Sequence, residues 1–554
     1  MSKIKYGFVV LVLMCAFRTV SNAQSSHELV IQDFTVTGHY LNDDIMGDST
    51  TTGTRKDPDR VYVLKRNGVY MTNAFIRNAN WTLNIKAENG TGAKPAVYNS
   101  KNAVTSTYAS SIVQVRGNLS LKNVALIGWS EFFPSEISLM PAFVLDVEGA
   151  GFSVDIDSCI IEGSRQSLIQ VNVASHRVKI TNTIFGQAGS IQATNIGNGR
   201  PIDCRTISVD SLIIQNCTFT DMTDRVVRHY ASTGPIDVFT FDHNTVVNAL
   251  SMHGNIALGF VGKKQTITNN LFVDNFTLGN DSTDVVRLTE FGDAGERGPS
   301  GAFRMCFVNS VPNDTTQWVV KNNYYSVTPA VQSWYDTHAA ASLGNLIPLT
   351  WHINKKIGAD SLTAFTKEAI TFTKATPNLT AFATWYWKNP PDGPGKQKAN
   401  TGFSSSVDMY RAQWSFYTDT LKLTYPTTAK AYTGGQAGFP VGDLNWFPSR
   451  KATWLTTDVE TMTEAIPATF ALSQNYPNPF NPTTTLQYSI SKSTHVVLEV
   501  FNLLGQSVAR LVDDVRAPGS YTSTFDASTL SSGVYLYRLK AGDFVQTLKM
   551  VLMK

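Results

Sequence analysis

Seven segments in the middle of this chain superimpose on one polar residue: Asn123, Ser158, Asn182, Asn216, His243, Asn269 and Asn322. Two positions earlier stand Leu121, Ile156, Ile180, Ile214, Phe241, Ile267 and Val320. Four positions earlier the residue is apolar in Leu119, Val154, Val178, Leu212, Phe239 and Trp318, with Gln265 the exception. Three positions later come Leu126, Ile161, Phe185, Phe219, Val246, Phe272 and Tyr325. The alternation ahead of the polar residue predicts a strand with one buried face. The polar residue is usually Asn and once His, types that accept a left-handed backbone more readily than most. The repeats lie 35, 24, 34, 27, 26 and 53 residues apart, the last interval leaving room for an unmatched coil.

A strand, a one-residue bend and a second strand, returning roughly every 25–35 residues, is a solenoid pattern. Propeller blades need about four strands in roughly 40–45 residues, more than these spacings hold. The lack of helical periodicity between repeats argues against leucine-rich or helical arrays. The pattern resembles the right-handed parallel β-helix of pectate-lyase-like proteins, where each coil gives one strand to each of three sheets. The resemblance implies an all-β chain. Asparagines stacked at the bend are expected to form an amide ladder between coils. Cys159 and Cys217 share the position after the bend, with the Asn182 coil between them. At about 4.8 Å per coil they would lie roughly 10 Å apart, beyond the ~7 Å limit of a disulfide, so both are expected to be free thiols. V-Y-V-L at 61–64, the Asn67-Gly68 turn and T-L-N-I-K-A at 82–87 read as the start of the same solenoid, which is assigned residues 24–328. The segment 42–59 carries Asp43, Asp44, Asp48, Asp57 and Asp59. It matches no EF-hand spacing and is expected to be a solvated loop, with no metal site.

The C-terminal stretch is organised differently. It opens with Q-N-Y-P-N-P-F-N-P-T (474–483), followed by short alternating strands, L-L-G at 503–505, S-S-G-V-Y at 531–535 and a basic end, K-M-V-L-M-K. Six or seven short strands with Gly-, Pro- and Asp-containing turns predict a small Ig-like sandwich. The motifs resemble the C-terminal sorting domain of proteins exported by the type IX secretion system of Gram-negative bacteria. The resemblance implies that 467–554 engages that machinery and that the protein is secreted or attached to the outer cell surface. The other end agrees: Lys3 and Lys5, an apolar run from Gly7 to Phe17 and small residues through Ala23 predict a signal peptide over 1–23. Its apolar run is too short to span a membrane. Removing 1–23 takes away Lys3, Lys5 and Arg18 and leaves a neutral chain, which gives no electrostatic case for nucleic acid. No later segment is apolar enough to span a membrane.

Between solenoid and tail, 329–455 is rich in aromatic residues and ends in V-G-D-L-N-W (441–446), with 456–466 read as a linker. It resembles the closing part of secreted β-helix proteins that end in a similar G-D-x-x-W. Its aromatics are expected to cap the open end of the solenoid, with sugar stacking the alternative.

In the β-helix families this resembles, substrate lies in a groove beside the first sheet. The strands assigned to it are 112–116, 143–147, 168–172, 225–230, 255–258 and 285–290. Alternation sends Gln114, Arg116, Gln170 and Asn172 outward as substrate-binding candidates. Arg225, Arg228, His229 and Arg287 are the catalytic candidates: a uronate lyase needs a cation for the carboxylate and a base for the α-proton. Lys263 and Lys264 are further cations. The hydrolase signatures of the fold are missing apart from M-H-G-N at 252–255. Two functions follow: polysaccharide binding along the first-sheet groove, or β-elimination on an acidic glycan. No cofactor is expected, except calcium if the chain is a lyase.

Overall fold

The computed structural model describes residues 27–128, 141–189, 199–205, 207–229, 234–249, 254–275, 306–308, 315–337, 349, 351–376, 378–387, 421–457, 470–475, 477–491, 494–516 and 519–553. The expected signal peptide, Arg287 and the 285–290 strand lie outside them.

The solenoid is a right-handed parallel β-helix. The first sheet contains Ile76–Arg77, Val113–Val115, Phe143–Val147, Ser167–Val171, Arg200–Arg205, Val227–His229, Ile256–Leu258 and Cys306–Val308 in spatial order. The second runs from Glu28–Ile31 to Gln317–Lys321, and the third from Val69–Thr72 to Phe365–Lys367. Neighbours pair in parallel, so each coil buries its alternate residues against the coils above and below. Between the sheets, Phe185 stacks on Phe219 with ring centroids 4.9 Å apart, and Phe272 follows Phe241 at 6.3 Å. A helix at Leu41–Gly47 adds buried Leu41 and Ile45 at the start, and Leu349, Ile353 and Ala364 complete the core at the far end.

All seven superimposed polar residues sit at the corner between second and third sheets with φ between 50° and 59°. The corner is held from coil to coil by side chains. Asp157 accepts from Thr181 Oγ1 at 2.8 Å and Asn182 Nδ2 at 2.7 Å; Asp242 accepts in the same way from Thr268 at 2.7 Å and Asn269 at 2.8 Å. Burial works to raise Asp242, but His243 and these hydrogen bonds outweigh it and hold the carboxyl at about 2. The amide ladder itself forms one residue further on, inside the core. Asn244 Nδ2 donates to Asn270 Oδ1 at 3.2 Å, and Asn270 Nδ2 to Asn323 Oδ1 at 2.8 Å. The reason is geometric: the left-handed residue turns its side chain to the outer corner, and its successor points inward. In earlier coils Val124, Cys159, Thr183 and Cys217 fill that position. All four described cysteines are buried free thiols.

A second left-handed row lies five residues further on, within the third-sheet strands: Gly163, Gln187, Asp221, Asn248 and Asp274, with φ from 53° to 79°. Asp221 is buried there, accepting from Asn248 Nδ2 at 3.1 Å, Thr376 Oγ1 at 3.0 Å and Thr220 Oγ1 at 2.9 Å. Burial pushes its carboxyl up to about 7 against those bonds.

The V-G-D-L-N-W segment lies along the outer flank of the third sheet and does not cover the open end. Gly442 N donates to Asn269 O at 2.7 Å, Asp443 accepts from Thr218 Oγ1 at 2.7 Å, and Asn445 Nδ2 donates to Asn216 O at 2.9 Å. Gly442 has φ 85°, and a Cβ there would meet Thr245 Oγ1 at 2.5 Å. Val441, Phe447 and Tyr425 bury Leu271, Val273 and Tyr324 beneath them. The segment 42–59 is also more ordered than a solvated loop. Asp43 and Asp44 lie in the helix, and buried Asp48 meets Arg60 at 2.9 Å and Tyr62 at 3.2 Å.

The tail forms two antiparallel sheets. One contains Ala471–Leu472, Thr483–Ile490 and Gly519–Asp526; the other contains Ser507–Arg516, Thr494–Phe501, Gly533–Ala541 and Phe544–Leu552. Leu486, Ile490, Leu498, Val500, Tyr537 and Leu539 form their shared core. The Pro/Asn loop is tied onto it. Asn475 N donates to Tyr537 Oη at 2.9 Å, Asn478 Oδ1 accepts from Val551 N at 2.9 Å, and Phe480 is buried beside Phe525.

Two outcomes are expected. Asn270→Ala, which strips both rungs of the amide ladder, should cost about 2–4 kcal/mol in denaturant unfolding. Asp221, raised in the folded state, keeps its proton between about pH 4 and pH 7 while the unfolded chain ionises. Its contribution is therefore full below pH 4 and lost as pH rises to 7. Asp221→Asn should flatten the decline by up to about 1.4 kcal/mol per pH unit, read from urea midpoints across that range.

Candidate functional site

The outward-facing residues of the first sheet form a polar row. Arg77, Gln114, Asp146, Gln170, Asp203 and Arg228 are register neighbours on successive coils. Arg77 Nε donates to Gln114 Oε1 at 2.7 Å, and Gln170 Nε2 donates to the Asp203 carbonyl at 3.3 Å. Gln114 and Gln170 are thus both outward and buried, and their amides are already engaged.

The cations chosen from sequence are drawn into a buried charge network. Arg228 grips Asp203 with two nitrogens at 2.8 and 2.5 Å. Arg200 reaches Asp224 at 2.9 Å and Asp203 at 3.5 Å, and Arg225 meets Asp224 at 3.3 Å. Burial works to raise Asp203, but Arg228 and Arg200 outweigh it and hold the carboxyl below its ordinary range. Burial pulls Arg200 down to about 10 despite both aspartates. Val227 is the residue in register with Ile202 and Ile256, so Arg228 faces outward. His229 is wholly buried: Nε2 donates to the Ile207 carbonyl at 2.8 Å, and Nδ1 accepts from Gly259 N at 3.2 Å. Burial lowers its pKa, keeping the ring neutral. Lys263 and Lys264 lie on the second sheet, where exposed Lys263 pairs with Asp237 at 2.9 Å. The place assigned to 285–290, beside Ile256–Leu258, is held by Cys306–Val308.

A second row, at the C-terminal ends of the same strands, faces solvent. Arg116, Glu148, Asn172 and Arg205 stand on successive coils, the ladder continuing through Glu148 N to Val115 O at 2.8 Å and Asn172 N to Val147 O at 2.9 Å. Arg116 is about half exposed and bonds Glu148 at 2.6 Å. Asn172 Nδ2 donates to Asp146 Oδ1 at 2.6 Å. Burial pushes the Asp146 carboxyl up to about 6, assisted by Glu148 and opposed by Asn172 and Arg205. Arg205 has φ 43°, held by Asp203 Oδ1 accepting its amide N–H at 3.1 Å. A left-handed arginine is uncommon outside sites that use the conformation.

Two of the sequence candidates, Arg116 and Asn172, thus converge on Asp146 and Glu148, which the sequence reading left out. The signal was available for Asp146, because Leu145 and Val147 pointing inward send it outward. Arg200–Arg205 was missed altogether: R-P-I-D-C-R has no clean alternation and carries a proline. On the N-terminal side, His27, Asp57 and Asp59 bring ligand atoms within 4.8 Å of one another, with His27 already bonded to Asp57 at 3.1 Å.

Residues 474–553 match the family described as secretion system C-terminal sorting domain. No curated protein and no solved structure matches the chain. The tail is therefore a type IX sorting domain, and the protein is exported to the outside of the cell. No described helix is long and apolar enough to cross a membrane.

Asp203→Asn, which weakens a buried pair at one end, should destabilise the solenoid by about 3–5 kcal/mol. Arg116→Ala, on the exposed stripe, should cost under about 1 kcal/mol. Paired denaturant melts of the two variants check the contrast.

Proposed function

We propose that the exported solenoid binds a polysaccharide along the first sheet, across the stripe of Arg116, Glu148, Asn172 and Arg205. The observation that carries this reading is the repetition of hydrogen-bonding side chains at strand ends on successive coils. Coils recur about every 4.8 Å, so a linear polymer laid across the strands meets a new polar group at each rung. Paired donors and acceptors suit sugar hydroxyls, and the two arginines suit carboxylate substituents.

One observation favours a second reading, β-elimination on a uronate polymer. Arg116 lies within hydrogen-bond reach of Glu148, beside Asp146 whose carboxyl is raised to about 6. A cation for the uronate carboxylate and a group exchanging protons near neutrality are what that reaction needs. The buried Arg228 and His229 are spent on Asp203 and the backbone and are dropped from it.

A panel of neutral and uronate polysaccharides, titrated against the purified protein at low salt, tests both readings. Binding should weaken about tenfold in Arg116→Ala and in Arg205→Ala, with the loss shrinking at high salt. An unsaturated product absorbing in the ultraviolet, abolished by Asp146→Asn, would establish the lyase. Saturable binding without product leaves recognition alone. No binding to any polymer defeats both.

A further inference from the structure

A folded sorting domain is recognised by its surface, and one point on this surface is built against the hydrophobic effect. The hairpin joining Thr494–Phe501 to Ser507–Arg516 carries Leu503 and Leu504 at its tip, 69% and 84% exposed. The other large apolar residues exposed on the described tail stand singly: Val515 at the far end of the hairpin's second strand, Val545 on Phe544–Leu552 and Met553 after it, and isolated exposure is ordinary. Adjacent leucines at a tip are not. The turn beneath them is pinned. Asn502 Oδ1 accepts from Leu504 N and Gln506 N, each at 3.0 Å, and Asn502 N donates to Gln506 O at 3.0 Å. Asn502 Nδ2 reaches Gln506 Oε1 at 2.8 Å, and Gly505 supplies the left-handed residue at φ 78°. Below the tip, the Arg538 guanidinium covers the Phe501 ring at 4.4 Å, which fixes the strand end.

We propose that Leu503 and Leu504 form a preorganised apolar plug that inserts into an apolar pocket of the secretion machinery during export. The sorting match establishes that this domain meets that machinery; the assignment of the contact to this tip is new and does not depend on the glycan reading. A rigid turn loses little freedom on docking, and two leucine side chains taken out of water together contribute by burial of apolar surface. The Arg510–Glu499 pair, at 2.9 Å on the hairpin's two strands, and Arg538 on the neighbouring strand Gly533–Ala541 give the plug a polar rim.

The test uses the full-length chain in a host with an intact type IX system, with the exported and periplasmic fractions measured by quantitative immunoblot. Deletion of 467–554 serves as the export-null control. Leu503→Ser combined with Leu504→Ser should cut the exported fraction at least tenfold and leave folded protein in the periplasm, as judged by trypsin resistance and melting. The corresponding double Met variant should be exported at near wild-type level, as should Val545→Ser. If the double Ser variant fails to fold, Leu504→Ser alone carries the test, with at least a threefold loss expected. Normal export of the Ser variants overturns the proposal. So does an equal loss in the Met variant, which would make turn shape and not apolarity the cause, or in Val545→Ser. Loss of binding to phospholipid vesicles with export unchanged would assign the tip to a membrane surface and also overturn it.

Discussion

The solenoid depends on one repeated backbone event, a single left-handed residue between two parallel strands. Parallel strands in successive coils stay in register only if every coil turns the same corner at the same place. A left-handed residue makes that corner in one step, and its cost is reduced where the side chain hydrogen-bonds across coils. Asp157 and Asp242 meet this requirement by accepting from the Thr-Asn pairs of the next coils, at 2.7–2.8 Å. The interior rungs from Asn244 to Asn323 satisfy backbone carbonyls that would otherwise be buried without partners. Corner and ladder together fix the register of the third sheet and, through it, of the first.

Register is also what makes the stripe. Arg116, Glu148, Asn172 and Arg205 are far apart in sequence and adjacent only because Val115, Val147 and Val171 pair across coils. The same pairing brings Asp203 beside Arg228 and so removes the most obvious cations from solvent. In a low-dielectric setting each of these charges needs its partner, and the buried set of Arg200, Asp203, Asp224, Arg225 and Arg228 is locked into the sheet. The buried charges of the first sheet thus serve structure, and the strand ends at Arg116, Asn172 and Arg205 are the part left exposed for the proposed glycan.

The fold was legible in the sequence because a left-handed corner restricts residue type and the flanking strands restrict polarity. Asn123, Asn182 and Asn322 carry that signal without help from any neighbour. The inward shift of the amide ladder was not legible, because Asn269-Asn270 and Asn322-Asn323 are adjacent pairs and sequence does not say which member faces the core. Arg116 and Asn172 were legible through alternation. Asp203 and Arg200 were not, since Pro201 obscures the strand that carries them. The inward fate of Arg225 and His229 was hidden for a different reason: burial of a charge depends on partners contributed by other coils. Lys263 and Lys264 show the same limit, since sheet membership and not proximity in sequence decides which groove a residue lines.

The closing segment adds a constraint on where a long ligand can lie. Residues 421–447 cover the outer face of the third sheet, with Leu421 and Leu423 over Val247 and Asp443 bonded to Thr218 and Thr245. A polymer on that face would have to displace a segment that buries apolar surface and leaves Asp443, raised to about 6 by burial, without its hydrogen-bond partners. The corner row is covered too, by Lys451 on Asn182 and by Trp454 against His243 at 5.5 Å. Among the described residues no such layer lies over the first sheet's strand ends at Arg116 and Asn172, which are exposed. The packing that closes one face of the solenoid leaves the first-sheet side as the place for the proposed glycan, and the described aromatics Tyr425, Phe447 and Trp454 serve as packing against the solenoid.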